Sequence, residues 1–137
     1  MRKVLGLLTM FVLLAGTIAL ADTQAKLRNG ELTPAADGYV KAGHDRNGNT
    51  DFHISVHHLA MPTQLTPAKA NYVVWIQRPG QSPENAGVLK VNDKLEGTFD
   101  STTPYKQFDV FVTAEDNAKA QMPSSLEVLR GVVNNDK

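Results

Sequence analysis

None of the 137 residues is cysteine. No disulfide can staple this fold, and no thiol follows the apolar N-terminal run to carry a lipid. Folding must rest on apolar burial and sheet hydrogen bonds. An excess of charge of either sign is missing too. Lys and Arg total 14, as do Asp and Glu, and they are scattered singly. The basic footprint that nucleic acid requires is absent, which excludes nucleic acid as a partner. Catalytic motifs are also lacking. There is no Gly-x-Ser-x-Gly, no His-Glu-x-x-His and no phosphate loop. The sequence therefore reads as non-enzymatic and free of cofactors.

The N-terminus carries the clearest signal. Met1-Arg2-Lys3 precedes an almost unbroken apolar stretch from Val4 to Leu20, with Ala19-Leu20-Ala21 before Asp22. Positive residues, an apolar run and a small-x-small exit are the three parts of a secretory signal. The run is slightly short for a spanning helix. Residues 1–21 are thus expected to be a cleaved signal helix, leaving no stable membrane span and a periplasmic or secreted product. Removing 21 of 137 residues leaves 116, enough for one domain with its own core.

Residues 22–37 are polar, contain Pro and Ala, and lack periodicity, so they read as a flexible leader. From Gly38 the chain breaks into short β-like runs divided by turn chemistry. The expected strands are Tyr39–His44, Phe52–His57, Tyr72–Ile76, Gly87–Val91, Leu95–Phe99, Phe108–Thr113 and Leu126–Val133. Tyr72–Ile76 is the most apolar of them and marks a central strand. About seven strands with no amphipathic helix predict an all-β domain over residues 38–134. The natural architecture is an antiparallel immunoglobulin-like sandwich, with a small barrel as the alternative.

Tyr72-Val73-Val74-Trp75, Ala86-Gly87-Val88-Leu89, the run Phe108 to Glu115, and Val128-Leu129-Arg130-Gly131 follow one another in a familiar order. This pattern resembles the extracytoplasmic C-terminal domain of anti-sigma-K-type factors, from about Tyr72 to Val133. The resemblance implies a non-enzymatic periplasmic β-sandwich of the sensor-domain type. Only Met1, Arg2 and Lys3 precede the apolar run, so the sigma-binding part of that family has no counterpart and its activity is not carried over.

Histidines are the first candidate ligands. His53, His57 and His58 lie within six positions of one another, and His44 stands one hairpin arm away. His53 and His57 share a strand face but sit too far apart to chelate one ion. An even-numbered loop around Asn47-Gly48 would gather His44, Asp51 and His53 into a metal patch. It would also put Lys41 and Tyr39 beside Phe52 and Ile54. An odd loop with Gly48 at positive φ instead sets Val40 and Ala42 beside Ile54 and Phe52, and it separates His44 from His53. The apolar pattern selects the odd loop, so no metal is assigned. Asp45, Asn47, Asn49 and Asp51 have a calcium-like spacing, but Gly48 is misplaced and Val56 stands where a Glu should close the loop.

Two strong strands are apolar on both faces, and a sandwich strand buries only one. Trp75 and Phe111 fall on the minority faces. If their strands are neighbours, the two rings form an exposed patch for a partner unless a loop such as 60–70 covers them. The functional expectation is an exported module that binds a protein or an envelope component. A periplasmic metal-binding role through the hairpin histidines is the alternative.

Overall fold

The computed structural model describes residues 23–136. The signal assigned to residues 1–21 lies outside them. The strands are β1 (Thr23–Lys26), β2 (Arg28–Asn29), β3 (Asp37–His44), β4 (Thr50–His57), β5 (Asn71–Gln77), β6 (Glu84–Val91), β7 (Gly97–Thr103), β8 (Gln107–Glu115) and β9 (Glu127–Asn134). All pairings are antiparallel, in the order β1-β3-β4-β7-β6-β5-β8-β9-β2. The domain is all-β, as expected. The seven expected strands each overlap one of β3 to β9, and two more precede them, giving nine strands in one nearly closed sheet rather than a seven-strand sandwich.

The two additional strands correct the reading of residues 22–37 as a flexible leader. β1 pairs with β3 and β2 pairs with β9, with only Leu27 between them. One short segment therefore touches both ends of the strand order and almost closes the barrel. The side chain of Leu27 is buried in the main core, and its N–H donates to the Gly38 carbonyl at 2.8 Å. Gly131 makes room for it. A Cβ there would come within 2.7 Å of Leu27 Cδ2.

The β3–β4 hairpin follows the hydrophobic pattern. Val40 pairs with Ile54 and Ala42 with Phe52, and all four are buried. Five residues, Asp45 to Asn49, connect the arms. Asp45 Oδ1 accepts the N–H groups of Asn47 and Asn49, each at 2.8 Å. Gly48 takes the positive φ of 79° that the turn needs. Main-core packing gathers Phe52 against Phe108, edge to face at 5.5 Å, and against Phe99 at 6.0 Å.

One seam stays open. β6 pairs with β7 only at Lys90–Thr98 and Val91–Gly97. Beyond those positions Glu84–Leu89 follows β5, with a register shift at Val74/Trp75, while Phe99–Thr103 follows β4. Gly87, at φ 135°, sits beside the Phe99 ring where the two strands part. At the far end of the seam, Tyr105 donates its hydroxyl to Glu84 Oε1 at 3.0 Å, under the guanidinium of Arg78.

Candidate functional site

Strand alternation sends Val40, Ala42, Phe52, Ile54 and Phe99 inward. It therefore sends Lys41, Asp51, His53, Asp100 and Thr102 outward. Register lines these up across β3, β4 and β7. One row reads Lys41–His53–Asp100, and the next reads Gly43–Asp51–Thr102. Within them His53 Nδ1 lies 2.7 Å from Asp100 Oδ1. Thr102 Oγ1 donates to Asp51 Oδ1, also at 2.7 Å. Gly43 has no side chain to fill its place in the second row. A shallow basin of about 650 Å³ opens there, lined by Lys41, Gly43, Asp51, His53, Asp100 and Thr102 among others.

The chemistry of this face is polar recognition. Each carboxylate already accepts or faces a donor, which fixes its direction. Asp100 holds one nitrogen of the His53 ring and so orients the other. The imidazole and carboxylates form an array of acceptors and donors set by neighbouring strands rather than by a loop.

The metal trio of His44, Asp51 and His53 does not assemble. All three line the basin, but His53 and Asp51 sit on the outer face of β4, while His44 is exposed at the end of β3, in step with the inward-facing Ala42. Its Nδ1 lies 3.4 Å from Asn135 Nδ2 at the end of the barrel. Asn135 is buried and also donates to the Gly43 carbonyl and to Thr50 Oγ1. The odd connection between β3 and β4 is the cause. Among the described residues no group of three His, Cys, Asp or Glu side chains is placed to hold a metal ion.

Trp75 and Phe111 are neighbours, as the patch reading required, but they are not exposed. They pair directly across β5 and β8, with Trp75 fully buried and Phe111 4 % exposed. With Val73 they form a small second core on the outer face of these strands, packed against Ala120. The cover is not the 60–70 segment. It is the loop between β8 and β9, together with Arg130. Asn85 Nδ2 donates to the Ala118 and Ala120 carbonyls and holds that loop down. Arg130 lays its guanidinium 4.2 Å above the Phe111 ring and donates to Asp109 and Glu127. The hydrogen bond to Glu127 is the main cause that raises the pKa of Arg130, against partial desolvation.

Sequence reasoning missed Asp100, Thr102 and Arg130. The first two become site residues only because β7 lies beside β4, and no local pattern announces that pairing. Arg130 did carry a weak signal. A charged residue on a strand opposite Phe111 can cover an aromatic ring that the sheet leaves outside.

No family model matches this chain, and no curated protein matches it. Among the described residues no helix is long and apolar enough to cross a membrane.

Proposed function

We propose that this chain is an exported, non-enzymatic module of the periplasmic sensor-domain type. It binds a protein or another component of the cell envelope through the outer face of β3, β4 and β7. The observation that carries the reading is the pair of cross-strand contacts, His53–Asp100 and Thr102–Asp51, which flank the basin. They hold polar groups ready on a rigid sheet, so a partner meets them without a large ordering cost. The opposite face lacks this freedom, since the β8–β9 loop and Arg130 already occupy it. Export is supported by the charge, apolar run and Ala19-Leu20-Ala21 exit of residues 1–21. The resemblance of Tyr72–Val133 to anti-sigma-K-type extracytoplasmic domains supports the same compartment.

The experiment has two stages. The full chain is expressed in a host with a periplasm, and the N-terminus of the exported form is sequenced; Asp22 is the expected first residue. Photo-crosslinking residues are then introduced singly at Ser55 on the proposed face and at Gln77 on the other. Adducts with one envelope component from Ser55 alone, lost with Asp51→Ala, are expected. Cytoplasmic retention with an intact leader, or equal adducts from both positions, refutes the reading.

A further inference from the structure

Among the described residues the open seam leaves two strand edges without a ladder beyond Lys90–Thr98, that of β6 and that of β7, and the β7 edge is the one without a register shift. Asp45 N–H donates to the Asn49 carbonyl at 3.0 Å, so the β3–β4 ladder bonds through odd-numbered residues of β4. Even-numbered residues of β4, from Thr50 to Val56, then turn their backbone groups toward β7. They meet Thr103, Ser101, Phe99 and Gly97. The opposite edge of β7 belongs to Thr98, Asp100 and Thr102. Asn92 N–H donates to the Glu96 carbonyl at 2.9 Å, and two positions on the β6–β7 ladder reaches Lys90–Thr98. There it stops. Among the described residues the backbone groups of Asp100 and Thr102 face no strand. An edge of this kind is a template for another strand.

This edge is complementary to itself. We infer that two copies of this chain associate through antiparallel pairing of β7 with β7, about a two-fold axis at Ser101. In that register Asp100 of each copy stands opposite Thr102 of the other. Both open residues become hydrogen-bonded pairs, and four new backbone hydrogen bonds form. Each carboxylate on the outer face lies across from a hydroxyl. The single Thr102 hydroxyl proton is already given to Asp51 at 2.7 Å, so the four backbone hydrogen bonds carry the pairing and the hydroxyl opposite Asp100 contributes by leaving that carboxylate without a like charge.

Neighbouring registers fail on physical grounds. Centring the pair on Asp100 sets two carboxylates face to face, which is destabilising. It also recruits Thr98, whose backbone is already bonded to β6. Centring it on Thr102 sets Asp100 opposite Pro104, which has no N–H to give. Of these three registers only the one centred on Ser101 uses both open residues of β7 without repulsion. The interface is isologous and closes as a dimer, with sheet order β3-β4-β7-β7-β4-β3 across the axis. It places the two basins on one continuous face, and it does not depend on what those basins bind.

Sedimentation equilibrium of the exported product, from micromolar to millimolar, tests this directly. A concentration-dependent dimer is expected. Thr102→Pro removes an open N–H but no bond to β4, since Pro is tolerated where the N–H faces away from the sheet. It should weaken dimerisation at least about tenfold while circular dichroism stays unchanged. Thr102→Asp sets a carboxylate against Asp100 of the other copy, and against Asp51 within its own chain; with circular dichroism unchanged it should weaken dimerisation in the same way without touching the backbone. Thr102→Lys sets an ammonium between Asp51 of its own chain and Asp100 of the other copy, and should tighten the dimer. A monomer at every concentration overturns the inference. So does a dimer indifferent to Thr102→Asp and Thr102→Lys, because its contact then lies elsewhere. If Thr102→Pro does not fold, those two variants decide the matter alone.

Discussion

Trp75 and Phe111 stand directly opposite each other on β5 and β8, with ring centroids 6.4 Å apart and planes 18° from parallel. They lie outside the main core, yet water does not reach the indole. Trp75 Nε1 donates to Thr113 Oγ1 at 2.8 Å, and Thr113 Oγ1 donates to Glu115 Oε2 at 2.5 Å. The same Glu115 oxygen accepts the Ser124 N–H at 2.8 Å. One hydroxyl therefore ties the outer aromatic pair to the loop that covers it. Among the described residues no buried side-chain nitrogen or oxygen is left without a partner.

Thr113→Val keeps the shape of this relay and removes both of its hydrogen bonds. The indole N–H is then buried without an acceptor, and Glu115 loses a donor. Denaturant unfolding should show a loss of about 2–3 kcal/mol. Tryptophan emission in the native state should stay blue, because the rings remain covered.

Arg130→Met leaves an apolar stem over Phe111 but removes the cation from the ring and from Asp109 and Glu127. The guanidinium is partly exposed, so solvent screens the ion pairs. A stability loss of about 1 kcal/mol is expected at low ionic strength. The difference from the unsubstituted protein should narrow when unfolding is repeated in high salt. Arg130→Lys should recover only part of it, since an ammonium does not reproduce the flat fork over the ring.

The N-terminal closure gives a sharper mutational test. Leu27→Ala empties the space above Gly131 and should cost about 2–5 kcal/mol. Gly131→Ala pushes a methyl group into Leu27 and should cost about 1–3 kcal/mol. Combining them should be better than the sum of the single losses, because the smaller residue at 27 accommodates the added methyl group. Hydrogen exchange at residues 23–29 should report the opening. A freely exchanging segment in the unsubstituted protein would contradict the paired strands.

Alkaline stability should track Tyr72. Burial pushes its hydroxyl pKa up to about 12 from an ordinary value of 10, and the hydroxyl donates to the Ala60 carbonyl at 2.6 Å. The folded state holds this proton more tightly than the unfolded chain does. Its contribution is fully present below pH 10 and is lost as pH rises from there through about 12. Spectrophotometric titration should find a late tyrosine ionisation that Tyr72→Phe removes. In Tyr72→Phe, the fall in stability across that interval should flatten.

The existence of the strands from Asp37 onward was legible because their causes are local, although the strand expected at Leu95–Phe99 runs over Gly97–Thr103 and so includes Asp100 and Thr102. The alternation Phe52-His53-Ile54-Ser55-Val56, the double-sided apolar run at Tyr72–Ile76 and the turn residues Asn47-Gly48 each act within a few positions. The hairpin register was legible for the same reason, and with it the separation of His44 from His53. Residues 23–29 were not. Their short strands contain Gln, Lys, Arg and Asn, and only the burial of Leu27 against a distant Gly131 makes them pair.

Composition and local pattern by themselves determined an all-β chain without disulfides, its main strands and the turn between β3 and β4. Tertiary structure decided which strands are neighbours, and through that which side chains meet. His53 and Asp100 are 47 positions apart, and nothing near either one specifies the other. The covering of Trp75 likewise comes from a loop and an arginine far along the chain. Strand order is selected by the burial of the whole core at once, and that sum is not contained in any single window of the chain.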